Sequence, residues 1–231
     1  MTKQAPITVV KLGGTEGVDF SAICKDAADL LLQGKKLIFV HGGSVEANSL
    51  GESLGTPPKM ITSPSGYTSR YTDRKTLEIF LMAVNGKVNS LLTERLQMLG
   101  INAFGLCGLD GRLIQATRKD AIQSIENGKR KIVRDDYTGK IERVDGRLLL
   151  LLLDGGYLPL IAPVAVSEKG EALNVDADRA AAMVASALQA DTLLLLTAVP
   201  GLMKISQTSR RSSGSWRRVS FRWRVMQRRG G

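Results

Sequence analysis

The stretch ITVVKLGG, residues 7–14, joins an apolar run to a pair of glycines, and KLIFVHGGS, residues 36–44, repeats the same design. Short continuous apolar runs are typical of strands that are buried on both faces of a parallel sheet. In such sheets the loops that bind ligands follow the carboxyl ends of the strands. We therefore predict strands at Ile7–Lys11 and Lys36–Val40, each followed by a glycine-rich turn.

The same alternation of short apolar runs and amphipathic segments continues along the chain. It predicts further strands at residues 103–106, 158–161 and 192–196, and helices at about residues 20–32, 46–54, 74–99, 145–154 and 179–189. Residues 112–143 alternate apolar and charged side chains around Gly128 and Gly139, so we predict an antiparallel excursion at the edge of the sheet. The expected fold class is α/β, with an open, mainly parallel sheet sandwiched by helices.

The net charge of +10 is concentrated at one end of the chain. Residues 204–231 hold nine of the 32 Lys and Arg residues, both Trp, and no Asp or Glu. The preceding residues carry 23 basic and 22 acidic side chains, an ordinary balance. We expect one domain over residues 1–203 and an aberrant, disordered basic tail over residues 204–231, which we interpret as frameshifted or mis-joined sequence. The alternative is a genuine tail that binds nucleic acid or an acidic partner.

Composition also limits the expected cellular location and the expected disulfide and metal sites. At 231 residues and 43% hydrophobic content, the chain can bury a full-sized core. Its apolar runs fall short of the ~20 residues that a membrane span requires, and its first residues lack the pattern of a signal peptide. Cys24 and Cys107 form neither a disulfide framework nor a zinc site, so we expect two buried thiols, no bound metal and a cytoplasmic location.

The two glycine pairs suit phosphate binding, because glycine lets backbone N–H groups approach a polyanion closely and the following helix adds a favourable dipole. Tight turns between strand and helix would require the same glycines. Lys11 favours phosphate binding, since a cation at such a turn can stabilise transferring phosphoryl oxygens. The common P-loop and dinucleotide patterns are absent from the sequence, so a nucleotide would be held in another way.

A second polar segment, SRYTD at residues 69–73, precedes the longest predicted helix. A guanidinium at a junction between loop and helix suits bidentate binding of a carboxylate, which makes Arg70 a candidate substrate ligand. Thr72 and Asp73 can equally serve as caps of the helix. Both interpretations are compatible, because capping would fix the backbone that directs Arg70.

A third segment, NVDAD at residues 174–178, stands at the start of an alanine-rich helix. Its spacing would allow the amide of Asn174 and the carboxylate of Asp178 to meet in one crevice. Either Asp176 or Asp178 can instead be a helix N-cap. The residues alone leave these alternatives open.

In this order the segments resemble the amino acid kinase family, specifically its acetylglutamate kinase branch, over about residues 8–202. Within that branch, GYTSRYTDRKTLE at residues 66–78, GLDGRL at residues 108–113 and DYTG at residues 136–139 are most similar to kinases whose substrate is attached to the small acidic carrier protein LysW. The resemblance implies a substrate lobe followed by the start of a nucleotide lobe.

The resemblance also implies a reaction: ATP, with Mg²⁺ carried by the nucleotide, phosphorylates the side-chain carboxylate of α-aminoadipate or glutamate attached to LysW, in lysine or arginine biosynthesis. The implied catalytic residues are Lys11 and Asp178. The implied substrate-binding residues are His41, Gly42, Gly43, Arg70 and Asn174. The implied phosphate- or nucleotide-binding residues are Lys11, Gly13, Gly14 and Thr197. A homodimer is implied as well, and neither a membrane nor a nucleic acid is an expected partner.

The resemblance ends after VPGL, residues 199–202. Family members continue with a glycine-rich segment that supplies a second phosphate-stabilising lysine. No such segment is recognisable in residues 204–231, so the nucleotide lobe is expected to be incomplete. Losing one preorganised donor typically costs about 10²–10³ in rate, so we expect this polypeptide to be impaired. The alternative functions are a free N-acetylglutamate kinase and a catalytically silent relative.

Overall fold

A computed structural model describes residues 5–13, 20–64, 66, 68–118, 121–126 and 129–196. The strands are β1 (Ile7–Leu12), β2 (Lys36–His41), β3 (Met60–Thr62), β4 (Thr68–Arg70), β5 (Ala103–Cys107), β6 (Ile114–Arg118), β7 (Ile122–Glu126), β8 (Lys129–Val133), β9 (Gly139–Val144), β10 (Leu158–Ala162), β11 (Val164–Val166), β12 (Ala172–Asn174) and β13 (Thr192–Leu196). The helices are α1 (Phe20–Leu32), α2 (Ser44–Ser53), α3 (Arg74–Leu81), α4 (Ser90–Met98), α5 (Gly146–Asp154) and α6 (Ala177–Ala187). Gly14, Thr197 and the tail from residue 204 lie outside the described residues.

A five-stranded parallel sheet in the order β13-β1-β2-β10-β5 forms the centre of the fold. All five strands predicted from the apolar runs are present, and the sandwiching helices confirm the predicted α/β class. Because every strand runs in the same direction, their carboxyl ends lie at one edge of the sheet. That edge is where α/β proteins bind their ligands.

The two faces of this sheet pack into separate cores. Successive side chains of a strand point to opposite faces, so Val9 packs with Leu149 of α5 and Val184 of α6, whereas Val10 packs with Leu92 and Leu96 of α4. Full burial of one such side chain contributes about 1.5–3 kcal/mol. Both cysteines are buried, as predicted. Within the described part of the chain, no helix combines the length and apolar character needed to cross a membrane.

The predicted long helix at residues 74–99 is interrupted in its middle. α3 and α4 are joined by a π-helical segment, Met82–Asn89. A π segment shifts the register of the helix and is frequently found at functional sites. Here it ends at Asn89, whose buried side chain hydrogen-bonds to groups on the central sheet.

The predicted excursion at residues 112–143 is antiparallel, but it does not extend the edge of the central sheet. Its strands join two further four-stranded sheets, in the orders β12-β11-β6-β9 and β4-β3-β7-β8. A turn after β5 redirects the chain: Asp110 accepts a hydrogen bond from the Cys107 N–H over 2.7 Å, and Gly111 adopts φ 56°. β6 consequently pairs with β11 and β9, a partnership that the local alternation of residues could not reveal.

Candidate active site

The two predicted glycine turns lie side by side at the carboxyl edge of the central sheet. The Gly42 N–H donates to the Leu12 carbonyl over 2.9 Å, and the Gly13 N–H donates to the Leu196 carbonyl over 3.0 Å. The ends of β2, β1 and β13 are thereby held in a row. This arrangement creates a crevice edge with backbone groups that a polyanion can approach.

Lys11 and Asp178 form an ion pair at this edge. Lys11 Nζ lies 2.9 Å from Asp178 Oδ1, with the lysine side chain 13% exposed and the aspartate side chain 56% exposed. Asp176 is the N-cap of α6, since its Oδ1 accepts from the Arg179 N–H over 2.8 Å. The two acids therefore divide the roles that the sequence left open: Asp176 caps, and Asp178 fixes the lysine.

Arg70 lies beside the amino end of α2. Its Nη2 donates to the Ser44 carbonyl over 3.1 Å, and its guanidinium lies 5.8 Å from the centre of the Phe80 ring. Burial lowers the pKa of Arg70 from its ordinary value. Among the described residues, no carboxylate pairs with this guanidinium, which leaves it available to an anionic ligand.

The segment that follows Arg70 is both capped and tied to the third predicted segment. Asp73 caps α3 by accepting from the Thr76 N–H over 2.8 Å. Asn174 donates from Nδ2 to Thr72 Oγ1 over 3.2 Å, and Thr72 Oγ1 donates to the Arg70 carbonyl over 3.3 Å. Residues that are about one hundred positions apart in sequence thus belong to one hydrogen-bonded unit.

Asp136 stabilises the hydrogen-bonded unit of Arg70, Thr72 and Asn174. It was not among the predicted site residues. Its carboxylate is buried and accepts from the Thr72 N–H over 3.1 Å, from the Thr138 N–H over 2.7 Å and from the Thr138 hydroxyl. A carboxylate with several donors is a rigid support. The signal that could have found it is the DYTG motif, in which it is the first residue.

Gly43 is required by the close approach of the π segment. A Cβ at Gly43 would lie 2.7 Å from Cγ1 of Val84, whereas its φ of −179° is available to any residue. Gly43 is also the N-cap of α2 and provides no side-chain cap. The first-turn N–H groups of α2 consequently meet the site beside Arg70, where helix geometry favours an anion.

His41 lies under the glycine turn rather than on its surface. The imidazole is 1% exposed, its Nδ1 is 2.8 Å from the Gly42 carbonyl, and Asn89 Nδ2 is 3.0 Å from its Nε2. Because a carbonyl only accepts and an amide nitrogen only donates, Nδ1 carries the hydrogen and Nε2 accepts. Burial lowers the pKa of His41 to about 4. The predicted substrate contact therefore differs from the structure, in which the imidazole supports the turn.

Asn89 was also missed by sequence reasoning. Besides its bond to His41, Nδ2 donates to the Leu160 carbonyl of β10 over 2.9 Å. A Cβ at Gly105 of β5 would lie 2.1 Å from Asn89 Oδ1, so glycine at that position makes room for the amide. The sequence contained little signal for it, because Asn85 and Thr93 at helical spacing from Asn89 are polar as well.

The structure thus brings together Lys11, Gly13, Gly42, Gly43, Arg70, Asn174 and Asp178 at one edge of the sheet. Two of the predicted site residues, Gly14 and Thr197, fall outside the described residues. In the described ranges, no group of three or more His, Cys, Asp or Glu side chains could hold a metal ion.

The chain is similar to known kinases and to a solved structure over most of its length. A LysW-aminoadipate kinase of Deinococcus radiodurans is 57% identical over 196 residues, covering 85% of this chain and 67% of that protein. An acetylglutamate kinase of Heliobacterium modesticaldum is 38% identical over 199 residues, covering 85% of this chain and 66% of that protein. The crystal structure of smu.665 from Streptococcus mutans has a TM-score of 0.67 and 28% identity, covering 86% of this chain and 75% of that chain.

The sequence pattern of the amino acid kinase family matches residues 6–211, most of the chain. The match includes every residue that the structure brings to the carboxyl edge of the central sheet. By sequence, and by a fold with its charged groups at that edge, the chain belongs to the amino acid kinase family.

Proposed function

We propose that the chain catalyses ATP-dependent phosphorylation of the side-chain carboxylate of α-aminoadipate, or of glutamate, attached through its amino group to a LysW carrier protein. The observation that carries the proposal is the pairing of Lys11 with Asp178 at the same sheet edge as Arg70, a guanidinium without a carboxylate partner in the described residues. The 57% identity to a LysW-aminoadipate kinase supports the substrate. The reaction belongs to lysine or arginine biosynthesis.

The reaction joins two anions. A substrate carboxylate oxygen attacks the γ-phosphorus of ATP, a new O–P bond forms, the bond to the bridging oxygen breaks, and ADP leaves. Catalysis of such a transfer consists chiefly of positioning and charge neutralisation. Mg²⁺ carried by the nucleotide would supply further neutralisation of the phosphate charge.

In this proposal Lys11 stabilises the charge on the transferring phosphoryl group. Asp178 keeps the ammonium in place through the 2.9 Å ion pair, and Gly13 and Gly14 line the path of the phosphoryl group. Thr197 contributes to nucleotide binding. The lysine side chain is largely buried, and a cation fixed in this way acts electrostatically.

The substrate keeps a free α-carboxylate when its amino group is attached to the carrier. Arg70 and the first-turn N–H groups of α2 bind that carboxylate, with Gly42 and Gly43 allowing close approach. Asn174, anchored through Thr72, contacts the substrate. His41 acts indirectly by holding the Gly42 carbonyl. Each of these groups is a donor or supports one, as an anionic substrate requires.

A substrate comparison tests the proposal. The chain is incubated with ATP and either LysW-bound α-aminoadipate, LysW-bound glutamate or free N-acetylglutamate, and the acyl phosphate is trapped with hydroxylamine. We expect turnover of a carrier-bound substrate and little of the free acid. Turnover of N-acetylglutamate alone would instead favour the acetylglutamate kinase alternative, whose named relative is less similar at 38% identity.

The composition of residues 204–231 leads to a second part of the proposal. A tail with nine basic and no acidic residues lacks the glycine- and lysine-bearing continuation that the resemblance implies, and we propose that the rate of transfer is reduced for this reason. Replacing residues 204–231 by a family-like continuation should raise the rate about 10²–10³-fold. Equal rates for the two proteins would show that the tail has no such effect.

The proposal also includes a homodimer formed through the N-terminal lobe and a cytoplasmic location. Free, buried Cys24 and Cys107 support a reducing compartment. Sedimentation at micromolar protein concentration measures the oligomeric state, and a monomer at all concentrations would contradict the dimer.

A further inference from the structure

One face of the sheet β4-β3-β7-β8 extends outward from Arg70. Cross-strand partners lie on the same face of a sheet, and the register pairs Arg70 with Met60, Thr62 with Ile125, Ile125 with Arg130, and Gln123 with Ile132. Alternate residues of a strand also share a face. We call this surface the hairpin face; its members used below are Met60, Arg70, Ile125, Arg130 and Ile132.

Large apolar side chains are exposed on the hairpin face. Met60 and Ile132 are each 59% exposed, and Ile125 is 40% exposed. Single exposed apolar residues are ordinary on protein surfaces, but several on one face of one sheet are typical of a binding surface. The hairpin face therefore has the apolar component of a protein interface.

Basic side chains lie on the same surface. The outer strand β8 has the sequence KRKIV and is followed by Arg134. By alternation, Arg130 shares the hairpin face with Ile132, whereas Lys131 belongs to the opposite face. Arg130 and Arg134 are exposed. The next acid along the chain, Asp135, accepts a hydrogen bond from the Tyr71 hydroxyl. Cations alone could serve to protect an edge strand from pairing, but that role does not account for exposed Met60, Ile125 and Ile132.

The hairpin face is continuous with the candidate active site through Arg70. Arg70 pairs with Met60 in the sheet, and its guanidinium contacts the Ser44 carbonyl at the amino end of α2. A substrate that is covalently attached to a protein brings that protein to the surface adjoining the site. The hairpin face is such a surface, and it has a charge that attracts acidic groups.

We infer that the hairpin face is the docking surface for an acidic protein domain, the carrier that presents the tethered substrate. Acidic side chains of the carrier pair with Arg130 and Arg134, and an apolar patch of the carrier covers Met60, Ile125 and Ile132. This inference rests on the proposed function, because only a tethered substrate requires a protein at this position. A nucleic acid would use the cations but leave the apolar side chains without a partner.

Binding measurements test the inference without depending on catalytic rate. Purified LysW bearing α-aminoadipate is titrated calorimetrically into the full chain and into Arg130→Glu, Arg134→Glu and Ile132→Ser variants. We expect the Kd to rise about tenfold or more for each Arg→Glu change and about threefold to tenfold for Ile132→Ser. The effect of the charge reversals should shrink as salt is raised, whereas that of Ile132→Ser should not.

Two controls separate docking from folding and from charge alone. Lys35→Glu makes the same change of charge at an exposed residue preceding the amino end of β2, on the side of the sheet away from the candidate site, and should leave the Kd within about twofold. Arg130→Lys keeps the charge and should retain most of the affinity. Thermal unfolding of every variant should match that of the original chain, since all substituted side chains are on the surface.

The outcomes distinguish the inference from the proposed function. If the unsubstituted chain binds LysW and the hairpin variants bind it equally well, the docking surface is elsewhere and the inference is wrong. If the unsubstituted chain does not bind LysW at all, the carrier-linked function itself is wrong. Tight binding of a 20-nucleotide RNA or DNA that is lost in Arg130→Glu, without LysW binding, would assign the face to nucleic acid and overturn both.

Discussion

Asn89 donates a hydrogen bond over 3.0 Å to Nε2 of His41, whose Nδ1 in turn lies 2.8 Å from the Gly42 carbonyl. The two side chains are buried and connect the end of the π segment with the turn at which the substrate is proposed to bind. The bond to the Gly42 carbonyl requires a hydrogen on Nδ1, and acceptance of the Asn89 N–H by Nε2 requires that the ring be neutral. The two hydrogen bonds therefore fix both the protonation state and the position of the His41 ring.

The first prediction concerns that protonation state. His41 is the single histidine of the chain, so ¹⁵N NMR of labelled histidine reports on it without ambiguity. Burial lowers its pKa to about 4, and we expect a neutral ring with a protonated Nδ1 down to about pH 5. A titration near pH 6.5, the value of an exposed histidine, would contradict the buried position.

The second prediction follows from the same shift. Between about pH 6.5 and pH 4 the unfolded chain binds a proton at His41 that the folded chain does not, so His41 lowers stability as pH falls through this window. The free energy of unfolding is unaffected by His41 above about pH 6.5, the pKa of the unfolded state. It falls by about 3 kcal/mol as the pH is lowered to the folded pKa of about 4. Urea unfolding between pH 7 and pH 5 should show a smaller loss for His41→Gln than for the original chain. Equal losses in the two proteins would be evidence against the shift.

The third prediction concerns Asn89. Asn89→Leu keeps the number and branching of the side-chain heavy atoms but removes the donor to His41 Nε2 and to the Leu160 carbonyl. Each unsatisfied buried group costs about 1–3 kcal/mol. We expect destabilisation of about 2–5 kcal/mol, measured by urea unfolding. Exposed Asn102→Leu serves as the matched control and should change stability by less than about 0.5 kcal/mol.

A companion change separates positioning from stability. Asn89→Asp places a carboxylate beside Nε2, which favours a protonated ring. The ¹⁵N signals should then indicate an imidazolium at pH 7, and the KM for substrate should rise as the turn shifts. An unchanged neutral ring would mean that Asn89 does not control His41.

The fourth prediction uses the two acids of α6. Asp178→Asn removes the charge that holds Lys11 over 2.9 Å, and we expect the rate of phosphoryl transfer to fall about tenfold to 10²-fold, less than the 10²–10³-fold loss expected for Lys11→Ala. Asp176→Asn preserves the cap, because Asn caps as well as Asp, and should leave the rate nearly unchanged. If both Asp→Asn changes lower the rate equally, the division of roles between capping and lysine orientation is incorrect.

The fifth prediction concerns Arg70. Arg70→Lys keeps the positive charge but loses the planar fork that binds a carboxylate through two hydrogen bonds. We expect the KM for the substrate to rise about tenfold with a smaller effect on the KM for ATP. Arg74→Lys is the matched control, since Arg74 is exposed and pairs with Glu78 four residues along α3. Steady-state kinetics with each substrate varied in turn provide the measurement.

The strands and the class of fold were predictable because they depend on local patterns. Burial on both faces produces continuous apolar runs, so β13 was predicted with the bounds that the structure shows, Thr192–Leu196. The position of Lys11 was predictable for a related reason, because parallel strands bring their carboxyl ends to one edge. Asp178 follows no strand of that sheet, and its pairing with Lys11 was expected only from the resemblance to the amino acid kinase family.

The remainder of the site depends on contacts that local patterns do not contain. A period of 3.6 residues predicts a helix over residues 74–99 but cannot show the π segment, because one shifted turn leaves the apolar stripe nearly intact. The alternation in residues 112–143 predicts strands without specifying their partners. Asp136 supports Thr72 across 64 positions of sequence, and its acidic side chain alone gives no indication of burial.

The absence of a side chain at Gly105 of β5 links the edge of the central sheet to the interior of the site. A Cβ added at Gly105 would lie 2.1 Å from Asn89 Oδ1. The residue at position 105 therefore cannot be enlarged unless Asn89 is replaced as well. We expect relatives that replace the glycine to have replaced the asparagine as well, and with it the partner of the histidine. Any redesign of the turn at Gly42 therefore has to consider Gly105 of β5 as well, although the two residues are far apart in sequence.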